Sequence, residues 1–239
     1  MNVKDLIVYE DKYLVIINKP RHLLSQFDGN KDNESLDVLL SKYLGKQAML
    51  INRLDKDTSG LIVFAKDNKS ATELANIIND HSIVEKHYLT LVNGVVSEDG
   101  VVDAPLRKSY ERKKMIVAPL KSGAKTAITK YFVKEKYQNY TLLDVQLVTG
   151  RTHQIRAHMS YVRHHVVGDI KYGDYKVNNY FKKEFNFENQ FLHSYKLVFS
   201  DIKCTFNYLS NKEFIAELPT ELQNILENLD KWVYLTKII

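Results

Sequence analysis

Arg53-Leu54-Asp55-Lys56-Asp57-Thr58-Ser59-Gly60 is the stretch of this chain that says most about its fold. It lies between the apolar runs 49–51 and 61–64, whose composition is typical of buried β-strands. Its Thr-Ser-Gly end permits a tight backbone path, because Gly60 tolerates dihedral angles that other residues avoid. The stretch therefore predicts a carboxylate, Asp55, held at the end of a buried strand.

Two interpretations of Asp55 follow from the residues alone. An aspartate in a turn usually caps that turn, here through the amides of Thr58 and Ser59. Alternatively, Arg53 and Arg156 could hold the acid in its ionised form, because a nearby guanidinium favours a charged carboxylate. An ionised carboxylate on a rigid support can attack an electron-poor carbon or abstract a proton. The second interpretation predicts a catalytic role for Asp55.

The composition is that of a globular chain with a slight excess of positive charge. Of 239 residues, 44% are hydrophobic, and 34 Lys and Arg against 29 Asp and Glu give a net charge of +5. The length predicts one domain spanning residues 1–239. The charge is compatible with an anionic partner and equally with an evenly mixed surface.

The cysteine content and the length of the apolar runs indicate the cellular environment of the chain. The chain has one cysteine, Cys204, so it can form no internal disulfide and no cysteine-based zinc site. We interpret Cys204 as a small core residue on a strand. The N-terminal residues lack a signal-peptide pattern, and the run at 13–17 is far too short to cross a bilayer. We expect a cytoplasmic protein with no membrane attachment.

The hydrophobic periodicity predicts a chain dominated by strands, with helices between and after them. The expected fold class is α/β (α+β), with a mixed, mostly antiparallel sheet flanked by helices. Strands are predicted at 6–9, 13–17, 61–65, 86–92, 113–118, 127–133, 140–148, 191–199, 204–208 and 214–217, and helices at 36–44, 70–79, 152–161 and 220–229.

The ordered set of short motifs resembles the RluA family of RNA pseudouridine synthases. The stretch around Asp55 is similar to that family's catalytic motif, and the similarity extends from about residue 6 to Pro219. The order and spacing of several motifs make the set specific. The further motifs are Asn18-Lys19-Pro20, Lys86-His87-Tyr88, the run 149–156, Gly168-Asp169 with Tyr172-Gly173, and Leu192-His193-Ser194.

The resemblance implies isomerisation of uridine to pseudouridine in structured RNA, without a cofactor and at a central RNA-binding cleft. Asp55 would be the catalytic aspartate and Arg156 its partner. Tyr88 would stack on the base and is also a candidate to move a proton, although a Tyr on a strand is commonly only a core residue. Leu192 would line the uracil pocket, and Arg53 would position the flipped nucleotide or its phosphate.

Other basic residues have open roles. Arg151 precedes Arg156 by five residues, about 140° around a helix. The two side chains therefore cannot bind the same group unless Arg151 lies before the helix. We assign it a structural or phosphate-binding role. Arg107 and Arg112 belong to a basic run at 107–114, which is either a solvated face or a loop that grips phosphates.

Two groups of residues give weaker signals. His153 and His158 are also about 140° apart on a helix, unlike a zinc-binding pair at i and i+4, so we expect no metal site. Residues 173–189, rich in Asn, Lys and aromatics, are interpreted as a surface insertion or as an RNA-contacting loop.

The sequence departs from the family pattern in places. Asn52 stands where the family often has His, and Arg21-His22 stand where small residues are common. The small N-terminal S4-type RNA-binding domain of many members has no counterpart before residue 6, so we expect a compact member of the family. We also expect the enzyme to be a monomer. Its target would be a ribosomal or transfer RNA stem-loop, because flipping a uridine costs less in a loop than in a duplex.

Two other functions remain open from the sequence. A non-catalytic RNA-binding or ribosome-assembly protein could keep this fold, although binding an anionic polymer needs no ionised acid. A hydrolase using Asp55 would release free uracil. No second catalytic acid is evident within the motif, which disfavours hydrolysis by paired carboxylates.

Overall fold

The structure, a computed structural model, describes the backbone of residues 2–236 and the side chains of residues 2–229. The chain forms two compact units that interleave along the sequence. Met1–Lys86 and His193–Glu217 make the first unit, and His87–Leu192 and Leu218–Ile239 make the second. The expectation of a single domain over 1–239 stays a prediction.

The regular elements, in chain order, are as follows. The strands are β1 (Ile7–Glu10), β2 (Leu14–Lys19), β3 (Met49–Leu50), β4 (Ser59–Ala65), β5 (Val84–Asn93), β6 (Gly100–Asp103), β7 (Leu106–Ser109), β8 (Lys114–Val117), β9 (Ile128–Lys136), β10 (Tyr140–Leu147), β11 (Leu192–Phe199) and β12 (Glu213–Ile215). The α-helices are α1 (Leu36–Leu44), α2 (Asn68–Asn79), α3 (Gln154–Tyr161), α4 (Tyr175–Phe185) and α5 (Thr220–Thr236).

The first unit is built around β4, every residue of which is buried. Strand β4 pairs antiparallel with β2 and with β3, and parallel with β11. Strand β1 extends the sheet beyond β2, and β12 extends it beyond β11. A strand buried on both faces needs an unbroken apolar run, which the sequence Leu61-Ile62-Val63-Phe64 supplies.

Helix α2 covers one side of this first sheet. Asp67 caps its N-terminus, because its carboxylate accepts the amide of Ser70. Leu74, Ile77 and Ile78 then pack in one apolar cluster with residues of β2 and β4. The predicted helix at 70–79 is confirmed, and it begins at Asn68 because the cap lies earlier than expected.

The second unit contains a sheet in the order β5-β10-β9-β6. Strands β9 and β10 form a long antiparallel hairpin, and β6 pairs antiparallel with β9. Strands β7 and β8 form a separate two-stranded hairpin. Together with the first sheet, these pairings confirm the predicted mixed α/β fold with mostly antiparallel strands.

The strand predicted at 204–208 is wrong. The amide of Asn207 donates to the carbonyl oxygen of Cys204, so a tight turn replaces ladder hydrogen bonds there. Cys204 is exposed rather than part of the core, and Phe206 is the residue that fills the apolar cluster. Partial desolvation raises the pKa of this exposed thiol, and its hydrogen bond with the Glu73 carboxylate adds to the effect.

The sequence of residues 173–189 is interpreted above as a surface insertion or as an RNA-contacting loop. The loop interpretation is wrong, because helix α4 occupies most of the segment. Asp174 caps this helix by accepting the amides of Lys176 and Val177. Phe181 and Phe187 are fully buried and pack with apolar residues of α5. Phe181 and Phe187 are core residues of the second unit, whereas Tyr175 and Tyr180 are exposed.

No helix within residues 2–236 is long and apolar enough to span a membrane.

Candidate active site

The turn that carries Asp55 is closed by its own backbone. The amide of Thr58 donates to the main-chain oxygen of Asp55 at 3.0 Å. The Asp55 side chain is half-buried, Leu54 before it is buried, and Arg53 is exposed. The predicted contact with the Thr58 amide is therefore made by the backbone oxygen of Asp55. This hydrogen bond does not support the interpretation that the Asp55 side chain caps the turn.

A buried serine fixes the residue immediately before Asp55. Ser25 Oγ donates to the carbonyl oxygen of Leu54 at 2.7 Å and accepts the amide of Leu54 at 3.1 Å. Both main-chain groups of Leu54 are satisfied by one hydroxyl from a segment 29 residues earlier. The backbone leading into Asp55 is therefore held by a tertiary contact.

Lys19 supports the other side of the same turn. Its ammonium is fully buried and donates to three backbone carbonyls, those of Pro20, Leu23 and Lys56, at 2.8–2.9 Å. Burial lowers the pKa of Lys19 to about 7, and the nearby Asp57 and Asp55 carboxylates partly offset this. Three carbonyl acceptors suit the charged form, since a neutral amine has only two N–H groups.

A glycine lets two strands approach each other directly after the turn. Gly60 has φ of 109°, and a Cβ there would lie 2.2 Å from the carbonyl oxygen of Ser194 on β11. A side chain is therefore excluded at this position. Gly60 brings the start of β4 against β11 in a parallel register, His193 opposite Ser59 and Ser194 opposite Gly60.

His193 joins the same strands through its buried ring. Nε2 lies 3.1 Å from the carbonyl oxygen of Ala216, so it carries the proton and donates it. Nδ1, 2.9 Å from Ser59 Oγ, then accepts the hydroxyl proton. Burial lowers the pKa of His193 to about 4, and the Ala216 carbonyl acts weakly in the opposite direction. The ring is a neutral cross-link beneath the Asp55 turn.

In the second unit, Arg156 forms a bidentate ion pair with Asp169. Nε donates to Asp169 Oδ2 at 2.6 Å, and Nη2 donates to Oδ1 at 2.9 Å. Arg156 is 7% exposed and Asp169 is fully buried. A bidentate pair fixes the orientation of the planar guanidinium as well as its position. The Asp169 contacts use one edge of a group that has five N–H donors.

The motif Gly168-Asp169 with Tyr172-Gly173 shapes the acceptor for Arg156. Asp169 Oδ1 also accepts the amides of Lys171 and Tyr172, at 2.9 and 3.0 Å. Gly168 has φ of 77°, and a Cβ there would lie 2.2 Å from the carbonyl oxygen of Asn189. The two glycines allow a compact loop that folds around one carboxylate. The sequence predicted no role for Asp169, although Gly168-Asp169 is among the family motifs.

Helix α3 presents Arg156 from a rigid base. Gln154 Nε2 donates to the carbonyl oxygen of Ile128 and to Thr129 Oγ1, both at 3.0 Å. Its Oε1 accepts the hydroxyl of Thr149 and the amide of Arg151. Arg151 lies before the helix, which begins at Gln154, and its Nε donates to the carbonyl oxygen of Thr126. The argument from a five-residue helical spacing therefore does not apply to Arg151.

The histidines of this helix also have protein partners. His158 is fully buried, with Nδ1 2.8 Å from Thr129 Oγ1 and Nε2 2.9 Å from the carbonyl oxygen of Ala104. Burial lowers the pKa of His158. Both ring nitrogens are engaged in the protein, which gives His158 a structural role.

Tyr88 and Leu192 are both buried residues of the second unit. Tyr88 lies on β5 and is 7% exposed, whereas Leu192 begins β11 and is 5% exposed. The neighbour of Tyr88, His87, places Nδ1 3.0 Å from Asp144 Oδ1 on β10. The strand positions of Tyr88 and Leu192 agree with the sequence, and their proposed roles stay predictions.

The basic run at 107–114 is the β7–β8 hairpin. Arg107 lies on β7 and Arg112 in the turn, and both are exposed. Tyr110 is 81% exposed at the tip, and Lys108 Nζ lies 5.1 Å from its ring centroid. We call residues 106–117 the basic hairpin. An exposed aromatic among cations is the composition expected of a surface that binds phosphates and unpaired bases.

The candidate site residues are divided between the two units. Asp55 and Arg53 belong to the first, whereas the second contains Tyr88, Arg151, Arg156, Leu192 and the two hairpin arginines. The pairing of Arg156 with Asp55 stays a prediction. Sequence reasoning missed the supporting roles of Ser25, Lys19 and Asp169, since each contact joins segments that are separated along the chain.

Comparison with known proteins identifies the class. Residues 13–161 match the family described as RNA pseudouridylate synthase. The chain is 34% identical over 235 residues to the uncharacterized RNA pseudouridine synthase YlyB of Bacillus subtilis, covering 94% of this chain and 73% of that protein. It is 36% identical over 236 residues to ribosomal large subunit pseudouridine synthase D of Zymomonas mobilis, covering 93% and 72%.

A solved structure agrees with the sequence comparisons. Human RNA pseudouridylate synthase domain containing 4 has a TM-score of 0.75 and 26% identity, covering 95% of this chain and 94% of that one. The fold and the matched sequence define an RNA-modifying isomerase. The chain belongs to the RluA family of RNA pseudouridine synthases.

Proposed function

We propose that this enzyme converts uridines of large-subunit ribosomal RNA to pseudouridine, with Asp55 as the group that acts on the nucleoside. The observation that carries the role of Asp55 is its half-buried carboxylate on a turn fixed from both sides by Ser25 and Lys19. Catalytic groups need such support, because small displacements cost much of the rate. The names of several relatives support the choice of RNA.

The chemistry sets the tasks of the site. Uracil must leave C1′, rotate, and rejoin the sugar through C5, and the C5 proton must then depart. This sequence needs a group that acts on the sugar, a pocket that retains the free base, and a proton acceptor. Asp55 acts on the sugar, either by bonding to C1′ or by removing the C2′ proton, and Arg156 steadies the charged carboxylate.

Other residues would handle the base and the RNA chain. Tyr88 stacks on the uracil or accepts its proton, and Leu192 lines the pocket that retains it. Arg53 and Arg151 contact the flipped nucleotide or neighbouring phosphates. The basic hairpin, with Arg107 and Arg112, grips a stem-loop, in which extruding a uridine costs a few kcal/mol or less. We propose that the enzyme acts as a cytoplasmic monomer.

Replacement of Asp55 by Asn tests the central role. We expect Asp55→Asn to abolish tritium release from RNA labelled at uridine C5, with RNA binding largely unchanged. Asp57→Asn is the matched control, since Asp57 is in the same turn, and it should retain most of the turnover. Normal turnover by the Asp55 variant would remove this carboxylate from the mechanism. Chromatography of the products should show no free uracil, whose release would indicate a hydrolase.

Replacement of Tyr88 by Phe separates the hydroxyl from the ring. If the hydroxyl moves the C5 proton, Tyr88→Phe should lower turnover by about 10²-fold or more, although the Phe ring occupies the same place as the Tyr ring. If the ring only stacks on the base, the variant should turn over within about threefold of the parent, since Phe keeps the same aromatic face. Single-turnover tritium release distinguishes the two results.

Pseudouridine mapping tests the RNA target. Total RNA from cells with and without this protein should differ at one or more uridines of large-subunit ribosomal RNA. A difference confined to transfer RNA would contradict the proposed target and leave the proposed chemistry intact.

A further inference from the structure

Tyr172 lies where the basic hairpin packs on the elements that hold Arg156. It is 4% exposed and belongs to an apolar cluster that includes Ala157 of α3 and Leu106 of β7. Met115 and Val117 of β8 pack against the same cluster. The side chain is therefore in contact with the hairpin and with the helix that carries Arg156.

The hydroxyl of Tyr172 joins two separate backbone elements. Its oxygen accepts the amide of Met115, on β8, at 2.8 Å. It also lies 3.0 Å from Nδ1 of His153, the residue that precedes α3. A phenol has one proton to donate, and an acceptor nitrogen at His153 Nδ1 can receive it. The hydroxyl thus pins one strand of the hairpin to the start of α3.

The ring of Tyr172 contacts two cations. Arg156 Cζ lies 5.2 Å and Lys114 Nζ 5.3 Å from the ring centroid. Both distances fall within the range of cation–π attraction, which strengthens where water is excluded. Two contacts therefore fix the Arg156 guanidinium: Asp169 accepts hydrogen bonds from one edge, and the ring of Tyr172 lies against it. Tyr172 and Asp169 are three residues apart in one loop, whose backbone amides also bind the Asp169 carboxylate.

We propose that Tyr172 is a positioning residue that couples the basic hairpin to Arg156: its hydroxyl holds the hairpin for RNA binding, and its ring holds the guanidinium for turnover. The inference rests on the proposed RNA-binding role of the hairpin and on the proposed role of Arg156. The two functions can be distinguished by substitution, because Phe removes the hydroxyl alone and Leu removes the ring as well.

The first test needs neither RNA nor activity. In Tyr172→Phe the amide of Met115 loses its acceptor, so its hydrogen exchange, followed by NMR, should accelerate by about fivefold or more. Tyr175→Phe is the control, because Tyr175 is 82% exposed and only three residues away. Unchanged exchange at Met115 in Tyr172→Phe would overturn the hydroxyl link, whatever the enzyme does with RNA.

The second test separates binding from turnover. Tyr172→Phe keeps the ring, so KM for a stem-loop substrate should rise about fivefold with kcat within about twofold of the parent. Tyr172→Leu also removes the ring, so kcat should fall by a further tenfold or so. Loss of folded protein alone would lower the apparent kcat and leave KM unchanged, so a rise in KM with kcat retained separates positioning from a purely structural role. Equal effects of the two substitutions on kcat would overturn the division between hydroxyl and ring.

The third test asks whether the hydroxyl acts through the hairpin. In a background with Arg107→Ala and Arg112→Ala, Tyr172→Phe should raise KM by less than about twofold, because the cations that it positions are gone. The same fivefold rise in that background would overturn the coupling. If the substitutions of Arg107 and Arg112 leave RNA binding unchanged, the proposed RNA-binding role of the hairpin is wrong. The hydrogen-exchange experiment still tests whether the Tyr172 hydroxyl binds the Met115 amide.

Discussion

A single buried carboxylate, that of Asp169, organises the part of the second unit that holds Arg156. It accepts two N–H groups of the guanidinium and two backbone amides, while being fully removed from solvent. Burying either charge alone would cost several kcal/mol, so each residue depends on the other. The orientation of the Arg156 guanidinium therefore depends on its two hydrogen bonds to Asp169.

Neutralising this carboxylate should damage both stability and activity. Asp169→Asn replaces an acceptor by an amide that faces the Arg156 N–H groups, so we expect a loss of about 3–5 kcal/mol in the free energy of unfolding. Turnover by the remaining folded protein should also fall. Urea unfolding and tritium release measure the two effects.

Asp174→Asn is the matched control for that experiment. Asp174 is in the same segment and caps α4, a position where Asn serves nearly as well as Asp. We expect this variant to unfold within about 0.5 kcal/mol of the parent. Equal stabilities of the Asp169 and Asp174 variants would contradict a structural role for the buried pair.

At the scale of elements, the parallel contact of β4 with β11 sets the position of the Asp55 turn. Ser59 and His193 are 134 residues apart in the chain and share a hydrogen bond beneath that turn. Gly60 makes the contact possible because no side chain fits against the Ser194 carbonyl. The strand order therefore determines what supports the Asp55 turn.

The buried imidazole of His193 makes this support sensitive to acid. Its pKa is about 4 in the folded chain against 6.5 for an ordinary histidine, so below pH 6.5 the unfolded chain binds the proton first. The stability that is fully present above pH 6.5 is lost as the pH falls toward 4. At about pH 5 the loss from this group is about 2 kcal/mol.

Replacement of His193 by Gln should flatten that dependence. The amide can still accept from Ser59 and donate to Ala216, but it does not titrate. Urea unfolding at about pH 7 and about pH 5 should give a stability difference about 2 kcal/mol smaller in His193→Gln than in the parent. Identical differences would show that His193 does not titrate between the folded and unfolded chains as expected. His158, whose pKa is also lowered by burial, is present in both proteins and cancels.

At the scale of the whole molecule, the chain combines a small net charge with a local concentration of cations. The total is only +5, yet Arg107, Lys108, Arg112 and Lys113 are all exposed on the basic hairpin. Net charge alone left an evenly mixed surface open as an explanation. The hairpin favours an RNA-binding role, because it concentrates phosphate-binding groups on one small structure.

Removing two of these cations should weaken RNA binding and its salt dependence. For Arg107→Ala with Arg112→Ala we expect the slope of the logarithm of the binding constant against the logarithm of salt concentration to decrease by about 1 to 2. The loss should be similar for different RNA sequences, since phosphate contacts are not sequence-specific. Fluorescence titrations at several salt concentrations give the slope.

A pair of lysines elsewhere controls for total charge. Lys182→Ala with Lys183→Ala removes the same charge from α4, where both side chains are exposed. This variant should leave the slope within about 0.3 of the parent value. An equal change in the two double variants would mean that the hairpin has no special role and that only net charge matters.

The sequence by itself determined the family, the mostly antiparallel α/β fold and the placement of Asp55 before a buried strand, because these depend on local order and periodicity. It misjudged residues 173–189 and Cys204, where composition suggested one environment and packing imposed another. The tertiary structure alone decided that Asp169 holds Arg156, that Ser25 and Lys19 hold the Asp55 turn, and that Tyr172 contacts the hairpin. The reason is physical: each depends on hydrogen bonds between groups far apart in sequence, and no local pattern specifies which distant acceptor a buried donor will meet.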